Sequence, residues 1–122
     1  MTADKTFDLD ELAQFTGTEH WYRHPLASNM LFTNGVKYVA DRAGAYWLLD
    51  EIVVAQRFEK AVAAEEFQLW ELRVAENSTA TLTCDDGNGR IVYRKEIPFT
   101  DFPACGVKLY MCNSVIHLPS EY

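Results

Sequence analysis

A chain of 122 residues, 48% hydrophobic and 13% aromatic, falls within the size of one domain and can bury a core without metals or disulfides, so a single domain over residues 1–122 is expected and general disorder is excluded. Its apolar stretches are short and broken by charges, which excludes a membrane-spanning run of about 20 apolar residues. The net charge of -7 is concentrated in residues 1–19 and 59–86; it disfavours phosphate-rich partners, so no direct nucleic-acid binding is expected, and a basic protein is the natural partner.

Residues 8–15 carry the first pattern. Leu9, Leu12, Ala13 and Phe15 lie largely on one side of a short helix, with Asp8, Asp10 and Glu11 in the first turn, where the helix dipole favours anions. Residues 19–28 are aromatic and polar without a period, and Pro25 drives His24 toward extended backbone, so an ordered connection is expected. Asn34-Gly35 then stands between Met30-Leu31-Phe32-Thr33 and Val36-Lys37-Tyr38-Val39. That is the signature of a two-residue type I′ turn, whose central residues need positive φ. It predicts a β-hairpin with Leu31 opposite Tyr38 and Met30 opposite Val39.

After Asp41 the period lengthens. Tyr46, Leu49 and Val53 form one helical series, and Trp47, Val54, Phe58 and Ala61 a second. Two stripes on one helix, over residues 43–63, imply contact on more than one side. From Phe67 the period is two: Trp70, Leu72 and Val74 alternate with Glu71 and Arg73, and Ala80, Leu82 and Cys84 alternate with threonines. A three-residue loop at Glu76-Asn77-Ser78 keeps like faces together, with Val74 opposite Ala80, Leu72 opposite Leu82 and Trp70 opposite Cys84. A four-residue loop at Asp86-Gly87-Asn88-Gly89 sets Cys84 opposite Ile91 and Leu82 opposite Tyr93. Residues 99–106 read as a loop, Val107, Leu109 and Met111 as a fourth strand of this group, and Val115-Ile116-His117-Leu118 as a short fifth. The fold class predicted is α+β: a short N-terminal helix, a β-hairpin, and one long helix packed on an antiparallel β-meander of about four to six strands.

The densest polar and aromatic cluster is His20, Trp21, Tyr22, Arg23 and His24. On a helix the two histidines would face one way and could share a metal, but Pro25 opposes a helix at His24 and no third ligand stands nearby, so no metal is expected. Trp, Tyr and Arg dominate the energetics of protein interfaces, which makes the five a candidate binding patch. Cys84, Cys105 and Cys112 are odd in number and lack C-x-x-C spacing, so they read as reduced thiols rather than a disulfide framework. Cys105, and Cys112 near His117, are the two with any prospect of reactivity. Asp85-Asp86-Gly87-Asn88-Gly89 lacks the spacing of a calcium loop, and the glycine-rich phosphate and nucleophile-elbow motifs are absent. No cofactor is expected. Residues 1–10 carry three aspartates, one lysine and no apolar segment, so a secretory signal is not expected and the location expected is the cytoplasm.

Phe15-Thr16-Gly17-Thr18-Glu19, Trp21-Tyr22-Arg23-His24-Pro25-Leu26, Ala43-Gly44-Ala45-Tyr46-Trp47-Leu48-Leu49-Asp50 and Leu118-Pro119-Ser120-Glu121-Tyr122 resemble a group of small bacterial proteins classified only as a domain of unknown function, with members often found near mobile elements. The resemblance extends over nearly the whole chain and implies no activity. The functional expectation is a non-enzymatic, acidic protein-binding or inhibitory accessory domain. Its sharpest form is a DNA mimic that acts against a nucleoprotein in the manner of some anti-CRISPR proteins. The alternative is a small enzyme or ligand binder using His20, Tyr22, Arg23 and His24, with His117 or Cys112 brought near by folding. Self-association is compatible with either.

Overall fold

The structure is a computed structural model that describes residues 20–121; the helix expected over residues 8–15 lies outside the described residues. Strands β1 (Trp21–His24) and β2 (Ala27–Thr33) form a hairpin, followed by helices α1 (Asn34–Ala43), α2 (Tyr46–Phe58) and α3 (Lys60–Ala63). Strands β3 (Phe67–Val74), β4 (Ala80–Asp85), β5 (Ile91–Ile97), β6 (Val107–Cys112) and β7 (Val115–His117) and a 3-10 turn at Pro119–Glu121 complete the order. The seven strands form one sheet in the order β1-β2-β7-β6-β3-β4-β5. All neighbours run antiparallel except β2 and β7, which are parallel. The protein is therefore α+β with a mostly antiparallel sheet.

The hairpin expected at Asn34-Gly35 is instead the start of α1. Thr33, in extended backbone, accepts a hydrogen bond from Val36 N on Oγ1 at 3.3 Å, the arrangement of a helix N-cap. Gly35 is there for its missing side chain: a Cβ would sit 2.5 Å from Leu118 Cδ1 and 2.7 Å from Glu121 Oε1. The Glu121 carboxylate fills that space, accepting from Thr33 Oγ1 at 2.6 Å, Leu118 N at 2.9 Å and Gly35 N at 3.2 Å. A carboxylate at a helix N-terminus also complements the dipole. The strand expected at Met30–Thr33 does form, as the end of β2, but its hairpin partner is β1, in residues expected to be only a connection, with Tyr22 opposite Phe32 and an irregular register between Arg23 and His24.

The single long helix expected over residues 43–63 is interrupted twice. Gly44, at φ 60°, ends α1 in the left-handed conformation, and Ala45 N returns to Ala40 O at 2.9 Å. Glu59, extended at φ -112° and ψ 102°, separates α2 from α3. The helices cover one face of the sheet. Val36, Val39, Leu48, Leu49, Ile52 and Val62 meet Phe32, Trp70, Leu72, Leu82, Leu109 and Ile116 in one buried cluster, where each large aliphatic side chain contributes about 1.5–3 kcal/mol.

Within that face β3 carries a polar node. Gln68, 3% exposed, exchanges two hydrogen bonds with Gln56 of α2 at 2.7 and 2.8 Å. Its amide also donates to Val62 O at 2.8 Å and Glu65 O at 3.2 Å, and its carbonyl accepts from Trp70 Nε1 at 2.9 Å. One side chain thus satisfies the end of α3, the side of α2 and a buried indole.

The β3–β4 register is as expected: Val74 pairs with Ala80, Leu72 with Leu82 and Trp70 with Cys84. Ala75 N bonds to Thr79 O at 2.8 Å, and Ser78 takes the left-handed conformation at φ 64°, which closes the three-residue loop. The β4–β5 register differs from the one expected. Cys84 lies opposite Tyr93 and Leu82 opposite Lys95. The turn lengthens by one because the Asp85 and Asp86 carboxylates accept from Gly87 N and Asn88 N at 2.6 and 2.8 Å, so Asp85 faces Ile91. A bulge next to Cys84 then adds a second offset, and the two together restore the original face alternation. The meander ends at β5. The following segment passes the β3–β4 turn, where Thr100 N bonds to Ser78 O at 2.8 Å, and delivers β6 to the other side of β3, so the fourth strand does not extend the meander. Gly106 permits this: its φ is 64° and a Cβ would meet Leu72 O at 2.2 Å.

Candidate functional site

The five cluster residues do not converge. His20 is exposed just before β1, and along the strand Trp21 and Arg23 alternate with Tyr22 and His24, so the two pairs project from opposite faces. Tyr22 stacks on Phe32 with ring centroids 5.6 Å apart, and Lys37 Nζ lies 5.5 Å from the Tyr22 ring centre. His24 is buried and engaged at both ring nitrogens. Nδ1 accepts from Leu26 N at 3.0 Å, which places the proton on Nε2, and Nε2 donates to Asp50 Oδ1 at 2.9 Å. This ring fixes the hairpin tip against α2. Trp21, 53% exposed, borders a shallow cavity of about 330 Å³ with Thr33, Cys112, Val115 and His117.

Behind Tyr22 lies a hydrogen-bonded group that joins α1 to α2. Asp41 accepts from Lys37 Nζ at 2.7 Å and from the Tyr46 hydroxyl. Burial acts against the Asp41 carboxylate, but the bonds from Lys37 and Tyr46 outweigh it and hold its pKa below the usual range. The hydrogen bond to Asp41 raises the pKa of Lys37. Burial, then the same carboxylate, raises the Tyr46 phenol. Each group is held in its ordinary protonation state at neutral pH, which suits positioning rather than proton transfer.

The most unusual surface is the outer side of α2. The stripe Trp47, Val54, Phe58 and Ala61 was expected to be covered, yet Val54 is 42% and Phe58 71% exposed. Leu26, 60% exposed at the tip of the β1–β2 hairpin, lies across from them. The three residues, with Met30 and Val53, line a groove of about 380 Å³ that Arg57 borders. His24 determines this arrangement, because its two hydrogen bonds hold Leu26 N on one side and Asp50, one turn before Val54, on the other. Sequence periodicity located the stripe but not its exposure, and Leu26 carried no signal. Single exposed hydrophobes are ordinary, whereas several lining one groove mark interaction sites.

The thiols differ sharply. Cys84 is buried on β4, and burial, with the nearby Asp85 and Glu65 charges, pushes its pKa up to about 12; Cys105 is exposed. Among the described residues no three His, Cys, Asp or Glu side chains are grouped as a metal site would need. No described helix is long and apolar enough to cross a membrane.

His117 on β7 is buried, and burial lowers its pKa against the opposing hydrogen bond to Val115 O at 3.4 Å. Below the ordinary value of 6.5 the unfolded chain takes up a proton that the folded chain refuses, so stability is lost as pH falls from there to the lowered folded value. Urea midpoints between pH 7.5 and 5 are expected to fall more steeply for the wild type than for His117→Asn. Parallel slopes would show that His117 does not contribute.

Among the described residues, fold and surface define an α+β arrangement with three helices on one face of a seven-stranded sheet and an exposed apolar groove at one end of that helical layer. The model of a family of unknown function, DUF6876, matches residues 6–122, and the chain belongs to that family. No curated protein and no solved structure matches it.

Proposed function

We infer that this protein is a non-enzymatic protein-binding domain, and that its contact face is the groove formed by Leu26, Val54 and Phe58. The exposure of these three side chains around one groove carries the reading, since well-packed apolar anchors dominate interface energetics. The partner fits best as a protein segment with both apolar and basic side chains. Arg57 is the charged residue on the groove itself, but Glu59 follows Phe58 directly at the end of α2, so a cationic group beside an apolar anchor at Phe58 would meet complementary charge. An inhibitory or accessory role toward a basic, nucleic-acid-binding protein accords with that charge, and a DNA mimic would be its extreme form.

The test is binding to such a partner, found by affinity capture, before and after substitution. Phe58→Asp is expected to weaken binding by about 30-fold or more, the effect of losing an interface anchor worth about 2 kcal/mol. Ile91→Asp, also exposed but on the far edge strand β5, is expected to leave it unchanged. Raising salt is expected to weaken the complex further through screening. Equal loss in both variants, or none in either, would remove the groove from the interface. If the species captured is a second copy of this chain, sedimentation will show a dimer that Phe58→Asp dissociates, and the heterologous partner is ruled out.

A further inference from the structure

A second cavity, distant in sequence from the groove, lies where the end of β3 meets the start of β6 and the turn after β7. It encloses about 520 Å³, within the range of small-molecule sites, about 300–1,000 Å³. Half-buried Val74 and exposed Ala104 and Pro119 supply its accessible apolar wall, over a floor of buried Leu72, Val107 and Leu118. That floor is held in place by backbone. Gly106 packs against Leu72 O and donates its N–H to Pro103 O at 3.0 Å, and Leu118 N is fixed by Glu121 at 2.9 Å.

The rim has the opposite charge to the molecule as a whole. Arg73 and Lys108 both border it, with Glu71 as their carboxylate. Glu71 bonds to Arg73 Nε at 3.2 Å and sits opposite Lys108 in the β3–β6 register, which leaves two cations to one anion in a chain of net charge -7. An apolar chamber with a locally cationic mouth selects a ligand with an apolar body and one negative group. We propose that this cavity binds a free, medium-chain monocarboxylate, its alkyl chain against Val74, Ala104 and Pro119 and its carboxylate at Lys108 and Arg73.

The experiment is a titration of the full-length protein with octanoate, octanol and octylamine, all below their micellar concentrations, followed by amide chemical shifts. Octanoate is expected to shift Val74, Cys105 and Lys108 saturably and to bind at least about ten-fold more tightly than octanol. Lys108→Glu, a change at an exposed position, is expected to erase that preference, and Val74→Trp to abolish binding by filling the chamber. Alkylation of exposed Cys105, read by peptide mass, should slow in octanoate while buried Cys84 stays unmodified with or without it. Equal affinity for octanoate and octanol, preference for octylamine, or shifts centred on Leu26 and Phe58 would each overturn the assignment. Because the groove and this cavity share no residue, Lys108→Glu should leave partner capture intact, so either idea can fail without the other.

Discussion

Gln68→Leu is expected to lower the unfolding free energy by about 3–5 kcal/mol, a large fraction of the 5–15 kcal/mol typical of a domain. The substitution is nearly isosteric and more apolar, so burial alone would make it neutral. What it removes is the common partner of Trp70 Nε1, the Gln56 amide and the carbonyls of Val62 and Glu65. Val62 O keeps its bond from Glu65 N and Gln56 Nε2 its bond to Ile52 O, so the groups that lose their partner are Trp70 Nε1, Gln56 Oε1 and Glu65 O, each costing about 1–3 kcal/mol where buried. Gln56 is half-buried and can turn toward water, which keeps the total below the simple sum. Urea unfolding measures the loss, and the blue shift of an indole that has lost its acceptor reports the local change. Adding Gln56→Leu to Gln68→Leu should recover part of the stability, since it removes one orphan together with its former partner. A loss below 1 kcal/mol would mean that water replaces Gln68 at no penalty.

Glu121→Ala is expected to destabilise by about 2–4 kcal/mol. It deletes an ionised acceptor serving three donors and frees the first turn of α1 at once. Glu121→Gln tests charge against shape. One oxygen becomes a donor, so either Gly35 N or the Thr33 hydroxyl faces an N–H group, and most of the loss should remain. Gly35→Ala should also destabilise, because its methyl would occupy the space of the carboxylate and of Leu118. The two changes act on one contact, so the double variant should lose less than the sum of its parts. Additive losses would show that Glu121 does not act through the start of α1.

The parts of the fold that follow from local alternation could be read from the residues. Trp70, Leu72 and Val74 against Ala80, Leu82 and Cys84 allow one register once Ser78 closes the loop. Asn34-Gly35 misled because a glycine needed for its absent Cβ is spelled the same as one needed for positive φ, and the groups that require it, Leu118 and Glu121, lie more than eighty residues away. The offset of β5 was hidden for a related reason: two shifts of one residue cancel in the hydrophobic pattern while moving every partner. Periodicity on α2 revealed a second apolar stripe. Whether another element covers such a stripe is a tertiary fact, and so the site was legible as a pattern but not as a surface. The cluster at Trp21 to His24 stood out by composition, yet its buried histidine proved to be the fastener that sets Leu26 beside the stripe.

The last two strands have a consequence for how the chain is made. β6 and β7 lie between β2 and β3, so the N-terminal hairpin and the β3–β5 meander share no strand pairing until both have been inserted. A nascent polypeptide emerging from the ribosome exposes two bare strand margins, on β2 and on β3, until residues 107–117 arrive, and long-range pairing of this kind is slow and prone to aggregation. Completion of the sheet thereby waits on residues 107–117, when a single hairpin joins both halves.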